Sequence, residues 1–281
     1  MRVPLYLSKF SNHLYSVPTH LLFLAVRELE KETWRGLHDR LDDSKAIDEV
    51  LHLETIPHFT TPQKFLQRIP HRWLARLLHL LTSLLTSRLY LAADASGFSL
   101  RSASVHYLER LGEHTAVRQV LKSLDLVDVR TGLIVATRAL PGHRHEAPHL
   151  VPLLRQVPFD VRELYADKGF DSEAIHTYLQ CRGTDGYIPT RGTDRPMTFY
   201  RRRVWIYQRT RPKEWDRHYH RRPFVESTYH AIKTRFGERI EGRTRRYQER
   251  YHWAKVWAYD LRVFARRSEA AASRYPPSSS A

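Results

Sequence analysis

A mixed α/β sheet flanked by helices, preceded by an all-helical region, is the architecture this 281-residue sequence predicts. Three observations predict it. Residues 1–87 lack the two-residue alternation of strands. From Arg88 onward, apolar runs of strand length appear between turn signals. After the third such run, strands alternate with helical patterns.

Within the N-terminal part, leucines at 74, 77, 78, 81, 84 and 85 mark an amphipathic helix leading into the first strand. Thr61 and Pro62 read as cap and first position of a short helix over about 62–69. Such helices suit a helix-turn-helix-like DNA reader, or simple packing against the sheet that follows. The first strand is Leu89-Tyr-Leu-Ala-Ala, the second Lys122 to Arg130 and the third Gly132 to Leu140, with a hairpin turn over Asp128–Gly132. Helices follow at about 146–156 and 171–181, strands at 161–166 and near Gly186–Pro189, and two further helices over about 223–237 and 247–267. The order β-β-β-α-β-α-β-α is that of an RNase H-like sheet. The organisation expected is a helical, DNA-binding region over 1–87, an RNase H-like domain over 88–267 and a disordered tail over 268–281, where Pro276-Pro277 precedes a serine run.

The net charge of +16 is concentrated late in the chain: residues 191–281 hold 23 basic against 9 acidic side chains, with tyrosine and tryptophan interleaved. Such a segment neutralises phosphates and steers a polyanion. The basic helices carry no clean apolar stripe, which argues against a membrane surface. Cys181 is the single cysteine, excluding a disulfide framework or a cysteine-rich zinc site, and is expected to be a small buried apolar residue. With no apolar run of membrane-spanning length and no signal-peptide opening, the expectation is a cytoplasmic, nucleoid-associated protein.

Three carboxylates stand out by where they fall. Asp94 ends the run Arg88-Leu-Tyr-Leu-Ala-Ala-Asp94, Asp167 ends Val161-Arg-Glu-Leu-Tyr-Ala-Asp167, and Glu226 rides an arginine-rich helix opened by Pro223 and closed by Gly237. Two strand ends and one helix delivering acids suit hard divalent cations, which take oxygen ligands and keep positions open for phosphate and water. On the helix, Glu226 and Lys233 share a face, with Arg222 one turn before Glu226. The plain alternative is a solvated i,i+4 pair worth tenths of a kcal/mol.

Tyr219, Arg222, Glu226 and Lys233 reproduce without gaps the Y-(2)-R-(3)-E-(6)-K signature, so the chain resembles the IS4/IS5 transposase superfamily. Ala92-Ala-Asp94-Ala-Ser-Gly97 is similar to that family's first catalytic block and Ala166-Asp167-Lys-Gly-Phe-Asp171 to its second, although Phe170 stands where tyrosine is more usual. The short interval from Asp167 to Glu226 leaves no room for a large inserted β domain, which resembles the compact IS5-type members. The resemblance implies a DDE transposase in which Asp94, Asp167 and Glu226 ligate two Mg²⁺ ions, with Mn²⁺ able to substitute. It also implies that Tyr219, Arg222 and Lys233 contact DNA, that double-stranded DNA (terminal inverted repeats and target) is the partner, and that a homodimer forms the synaptic complex. The alternatives are a catalytically inactive transposase-derived DNA-binding protein, or an RNase H-like structure-specific nuclease.

Other candidates have plainer readings. His143, His145, His149 and Glu146 fall in a Pro/Gly loop and read as polar rather than metal-binding. Asp171 is expected to cap a helix, and Asp125 and Asp128 to flank the hairpin bend. Ser96 lacks the partners of a nucleophilic serine, and Gly97 is expected to let the backbone bulge beside Asp94.

Overall fold

The computed structural model describes residues 4–9, 12–100, 120–192 and 194–274. The N-terminal region is helical as expected: α1 (Val17–Glu30), α2 (Trp34–Asp43), α3 (Lys45–Leu51), α4 (Thr60–Arg68) and α5 (His71–Leu85). Thr61 does not cap α4, because the helix already begins at Thr60 with Phe59 in the cap position. On α5, Leu74, Leu77, Leu78 and Leu81 are buried on one stripe while Leu84 is exposed.

The sheet contains β1 (Arg88–Leu100), β2 (Val120–Asp128), β3 (Ile134–Pro141), β4 (Asp160–Ala166), β5 (Asp185–Tyr187) and the short β6 (Arg239–Ile240). Its order is β3-β2-β1-β4-β5, with β6 adding to the far end of β1. β2 runs antiparallel to β1 and β3, whereas β4 lies parallel to β1 and β5 parallel to β4. This is the RNase H-like mixed sheet that the element order predicts.

Strand alternation assigns the two faces. Leu89, Leu91, Ala93, Leu124, Leu126, Leu164 and Ala166 form one core with α6 (Ala147–Leu154) and α7 (Glu173–Arg182). Ala92, Phe98, Leu121, Val127, Tyr165 and Tyr187 point the other way, into a core shared with α10 (Phe224–Phe236), α11 (Arg245–Arg274) and the N-terminal helices. Between β5 and α10 the chain forms α8 (Phe199–Thr210) and α9 (Pro212–Tyr219), so the segment expected to lack a β insertion carries a helical pair.

No break in the core falls at residue 87. Trp257 Nε1 of α11 donates to the Leu21 carbonyl at 3.1 Å, Trp34 Nε1 donates to Tyr247 Oη at 2.9 Å, and Lys255 Nζ meets buried Glu28 at 3.1 Å. The N-terminal helices are thereby packed on the C-terminal helix. That helix continues to Arg274, so residues 268–274, expected in a disordered tail, are helical; the Pro-Pro-Ser run lies outside the described residues. Cys181 is exposed rather than buried, since α7 turns Ile175 and Leu179 inward instead.

Candidate active site

Asp94 is not at the end of its strand. β1 continues six residues beyond it, because Ser96 and Phe98 keep the alternation and β2 stays paired as far as Ser99↔Val120. It is the neighbour on the other side that ends. β4 pairs with β1 up to Ala93↔Ala166, and one further step in register sets Asp94 beside Asp167. The carboxyl end of β4 thus opens the space into which both acids point, the usual position for a ligand site in a sheet of this kind.

Local chemistry fixes Asp167. It caps a 3₁₀ turn (Lys168–Phe170), and its Oδ1 accepts from Gly169 N at 2.6 Å. A Cβ on residue 169 would lie 2.6 Å from that oxygen, so a larger residue there would push the Asp167 carboxylate out of this position. Arg191 closes the turn from outside, donating through Nε to the Lys168 carbonyl at 2.7 Å and through Nη2 to that of Gly169. Gly97 has a different role from the expected bulge: it pairs regularly with Lys122, and a Cβ there would meet Val120 Cγ1 at 2.9 Å. It allows close approach of β2.

Glu226 lies in the first turn of α10 and is half-exposed. Arg222, in the turn ahead of that helix, donates from Nη1 to Glu226 Oε1 and from Nη2 to Asp94 Oδ2 at 3.2 Å. One guanidinium therefore holds acids from a strand and a helix. Burial raises the Asp94 pKa; the Ala95 backbone hydrogen bond and Arg222 oppose it, while Asp167 and Glu226 push it up further. Tyr219, the last residue of α9, is affected by the same groups: burial raises its hydroxyl pKa, Arg222 lowers it, and Asp167, Asp94 and Glu226 raise it.

Five of the six residues named from sequence accordingly surround one spot. The sixth, Lys233, lies farther along α10 with its Nζ 5.4 Å from the ring of Phe98, four residues past Asp94 on β1. Among the described residues no three acidic or histidine side chains close on a single point tightly enough to hold an ion, and Arg222 stands between two of the acids. The donor set itself, three carboxylates beside a solvent-facing edge, fits a hard divalent cation. In the His143–His149 loop, Glu146 pairs with Lys122 Nζ at 3.0 Å.

Sequence reasoning missed two residues here. Asp125 is not at the hairpin bend but inside β2, in register with Asp94 and fully buried on the same face. Ser123 Oγ donates to its Oδ2 at 2.6 Å, and burial pushes its pKa up to about 6. Tyr229 of α10 donates its hydroxyl to the Asp94 carbonyl at 2.7 Å. The signal for Asp125 was the alternation Ser123, Asp125, Val127 against Leu124, Leu126; no local signal marked Tyr229. Asp128 is a turn residue as expected, accepting from Thr131 N at 2.8 Å and Tyr90 N at 3.0 Å.

Despite its position, Asp171 does not cap the helix that follows it. Ser172 caps α7, accepting from Ile175 N at 3.3 Å, whereas the buried Asp171 carboxylate meets Arg201 Nη2 at 2.6 Å and His176 Nε2 at 3.0 Å. Burial would raise its pKa, but the His176 and Arg201 hydrogen bonds hold it well below the usual range. Glu173 accepts from the backbone N–H groups of Tyr200 and Arg201 at 2.9 and 3.0 Å, satisfying the first turn of α8. The basic α8 is therefore pinned to the start of α7, next to the Asp167 turn. Beyond the carboxylates, a cleft of about 750 Å³ is lined by Tyr90, Arg130, Glu163, Arg221 and Phe224.

An RNase H-like sheet that gathers carboxylates and an arginine at the carboxyl end of its central parallel strands, beside an arginine-rich helical pair, defines a metal-dependent enzyme of nucleic-acid phosphoryl transfer. The chain belongs to the transposase DDE domain family, whose model matches residues 88–261. That match opens on the first residue of β1. Membership makes the protein a DNA-cutting enzyme of the transposase kind, dependent on divalent metal. In three dimensions the chain is similar to the piggyBac transposase in a synaptic complex with hairpin DNA, at 10% identity and a TM-score of 0.47, over 94% of this chain and 69% of that one. No curated protein matches the chain in sequence.

Proposed function

We propose that this protein is an insertion-sequence transposase of the compact IS5 type, which binds the terminal inverted repeats of its element, cuts with Mg²⁺ and joins the freed 3′ ends to target DNA. The observation that carries this reading is the meeting of Asp94, Asp167, Glu226, Arg222 and Tyr219 at the end of β4, in a chain of the transposase DDE family. Asp94, Asp167 and Glu226 are the residues that would hold the metal, two ions with Mn²⁺ able to substitute. Bound there, divalent metal activates an attacking water or 3′-hydroxyl and stabilises the leaving 3′-oxygen of an in-line displacement.

The chain's own residues supply the remaining parts. Arg222 carries the forked donor geometry that matches a phosphate, and Tyr219 offers a ring beside the acids for a displaced base. Lys233 adds a point charge farther along α10. The exposed arginines of α8 extend the positive surface past the site, which suits a DNA path. A homodimer holding two element ends, and a cytoplasmic, nucleoid-associated location, go with this reading.

The test is cleavage and strand transfer on a plasmid carrying the gene's own flanking DNA, with and without Mg²⁺, comparing wild type with Glu226→Gln. Metal-dependent breaks with 3′-hydroxyl ends at one boundary, and joined products, from wild type alone are expected. Equal DNA binding by both proteins with no cutting by either would identify a transposase-derived binder instead. Cutting without end specificity or joining would identify a structure-specific nuclease.

A further inference from the structure

Tyr229 and Asp125 lie on two elements that the signature residues do not connect. Tyr229 is three residues after Glu226 on α10, almost one helical turn, and its hydroxyl reaches down to the Asp94 main-chain oxygen at 2.7 Å and lies 3.3 Å from that of Ser123. The phenol is thus a strut from the helix that carries Glu226 to the strand that carries Asp94. Both residues are buried, and Tyr229 packs into the core between α10 and the sheet.

Asp125 stands behind this strut. It is directly opposite Asp94 in the β1–β2 register, side by side on the same face, and the Tyr229 hydroxyl and Thr137 lie against its carboxylate. Its Oδ2 takes the Ser123 hydroxyl, while Oδ1 is buried without a hydrogen bond of ordinary geometry. An apolar residue would fill a buried mid-strand position at less free-energy cost than a carboxylate. An acid stands where it braces the side chain that hydrogen-bonds α10 to the main chain of β1.

We propose that Tyr229 and Asp125 form a positioning pair that sets the separation between Asp94 and Glu226 and so tunes the affinity of the site for divalent metal. The proposal rests on the reading of Asp94 and Glu226 as metal-holding residues. Neither member of the pair touches metal or DNA; each acts through the backbone of Asp94.

The test is titration of the full-length protein with Mn²⁺ alone, followed by electron paramagnetic resonance, alongside thermal melting and DNA affinity. Tyr229→Phe removes one hydroxyl and keeps the ring in the core, and is expected to raise the Mn²⁺ midpoint about five-fold, the scale of one lost hydrogen bond. DNA affinity in the absence of metal stays at the wild-type value. Asp125→Leu gives a shift of the same size, the double substitution adds nothing to either, and Asp125→Asn, which keeps an acceptor for Ser123, restores the wild-type midpoint. If Tyr229→Phe fails to fold, the comparison of Asp125→Leu with Asp125→Asn carries the same test. An unchanged midpoint, or losses of metal and DNA binding in equal proportion to thermal stability, overturns the pair. Wild-type protein that binds no Mn²⁺ would instead overturn the metal site itself.

Discussion

Arg222 reaches Asp94 across the mouth of the site, Nη2 to Oδ2 at 3.2 Å, with both side chains only 18% exposed. The same guanidinium also bonds Glu226, so it carries positive charge to the place where a metal would neutralise these acids. Arginine and divalent ion are competitors for the same oxygens. Arg222→Ala is therefore expected to bind Mn²⁺ several-fold more tightly, about 1 kcal/mol, while cutting DNA more slowly because the phosphate loses its fork. Calorimetry and a single-turnover cleavage assay together check this, and weaker Mn²⁺ binding by the variant would contradict it.

Glu226→Gln preserves the shape of the side chain and removes its charge. Cleavage is expected to fall by about a thousand-fold or more, because a ligand that stabilises transition-state charge is lost. Folding should hardly change, since the Arg222 pair involves a carboxylate that is 55% exposed and worth little to stability. Gel shift and a thermal melt separate the two effects.

Asp171→Asn leaves Arg201 and His176 facing a neutral amide. We expect a loss of about 2 kcal/mol in stability, below the usual cost of breaking a fully buried ion pair because Arg201 remains 26% exposed. Hydrogen exchange should quicken first in α8, over residues 199–210, which this carboxylate and Glu173 hold in place. Uniform acceleration across the sheet would be the wrong pattern.

Arg203 and Arg209 are exposed on α8, Arg209 lying 3.9 Å over the ring of Trp205. Replacing both with alanine is expected to weaken DNA binding for every sequence alike, and to reduce the salt slope of log affinity by about one for each arginine that meets a phosphate. Filter binding across a range of salt concentrations measures it; an unchanged slope would remove α8 from the DNA path.

His252 is buried against Phe98, and burial, helped by Lys255 and Arg245, lowers its pKa to about 3. The unfolded chain takes up that proton near pH 6.5, so the contribution of neutral His252 is present above pH 6.5 and is lost as pH falls toward 3, at up to about 1.4 kcal/mol per pH unit. Asp125 works in the opposite sense. Its folded pKa of about 6 lies above the unfolded 3.8, so its contribution is full below 3.8 and is lost as pH rises through 6. His252→Met should therefore lose less stability than wild type between pH 7 and 5, by about 2 kcal/mol in denaturant titrations.

The acid triad and the Tyr-Arg-Glu-Lys spacing were legible because each depends on short-range periodicity. Glu226 had to share a helical face with Lys233, and Asp167 had to end a strand before the Lys168–Phe170 turn. The element order was equally legible, since apolar runs of β1 to β4 are bounded by turn residues that propensity alone reveals. Errors arose where a neighbour in space sets the outcome. Asp94 reads as a strand end because Ser96 and Gly97 follow within three residues, yet β2 and β6 extend β1 to Leu100. Asp171 reads as a cap, yet Arg201, thirty residues later, claims its carboxylate.

By itself the sequence determined the mixed sheet, the helical N-terminal region and the transposase resemblance, and it singled out the candidate acids, all of which depend on local pattern and spacing. Only the tertiary structure decided that α1 to α5 share their core with α11 rather than standing apart, that α8 and α9 occupy the interval before Glu226, and that Arg222 joins Asp94 to Glu226. It alone placed Asp125 opposite Asp94 and Tyr229 above it. The physical reason is that strand register and helix docking are fixed by packing between segments far apart in the chain, and no local window contains both partners.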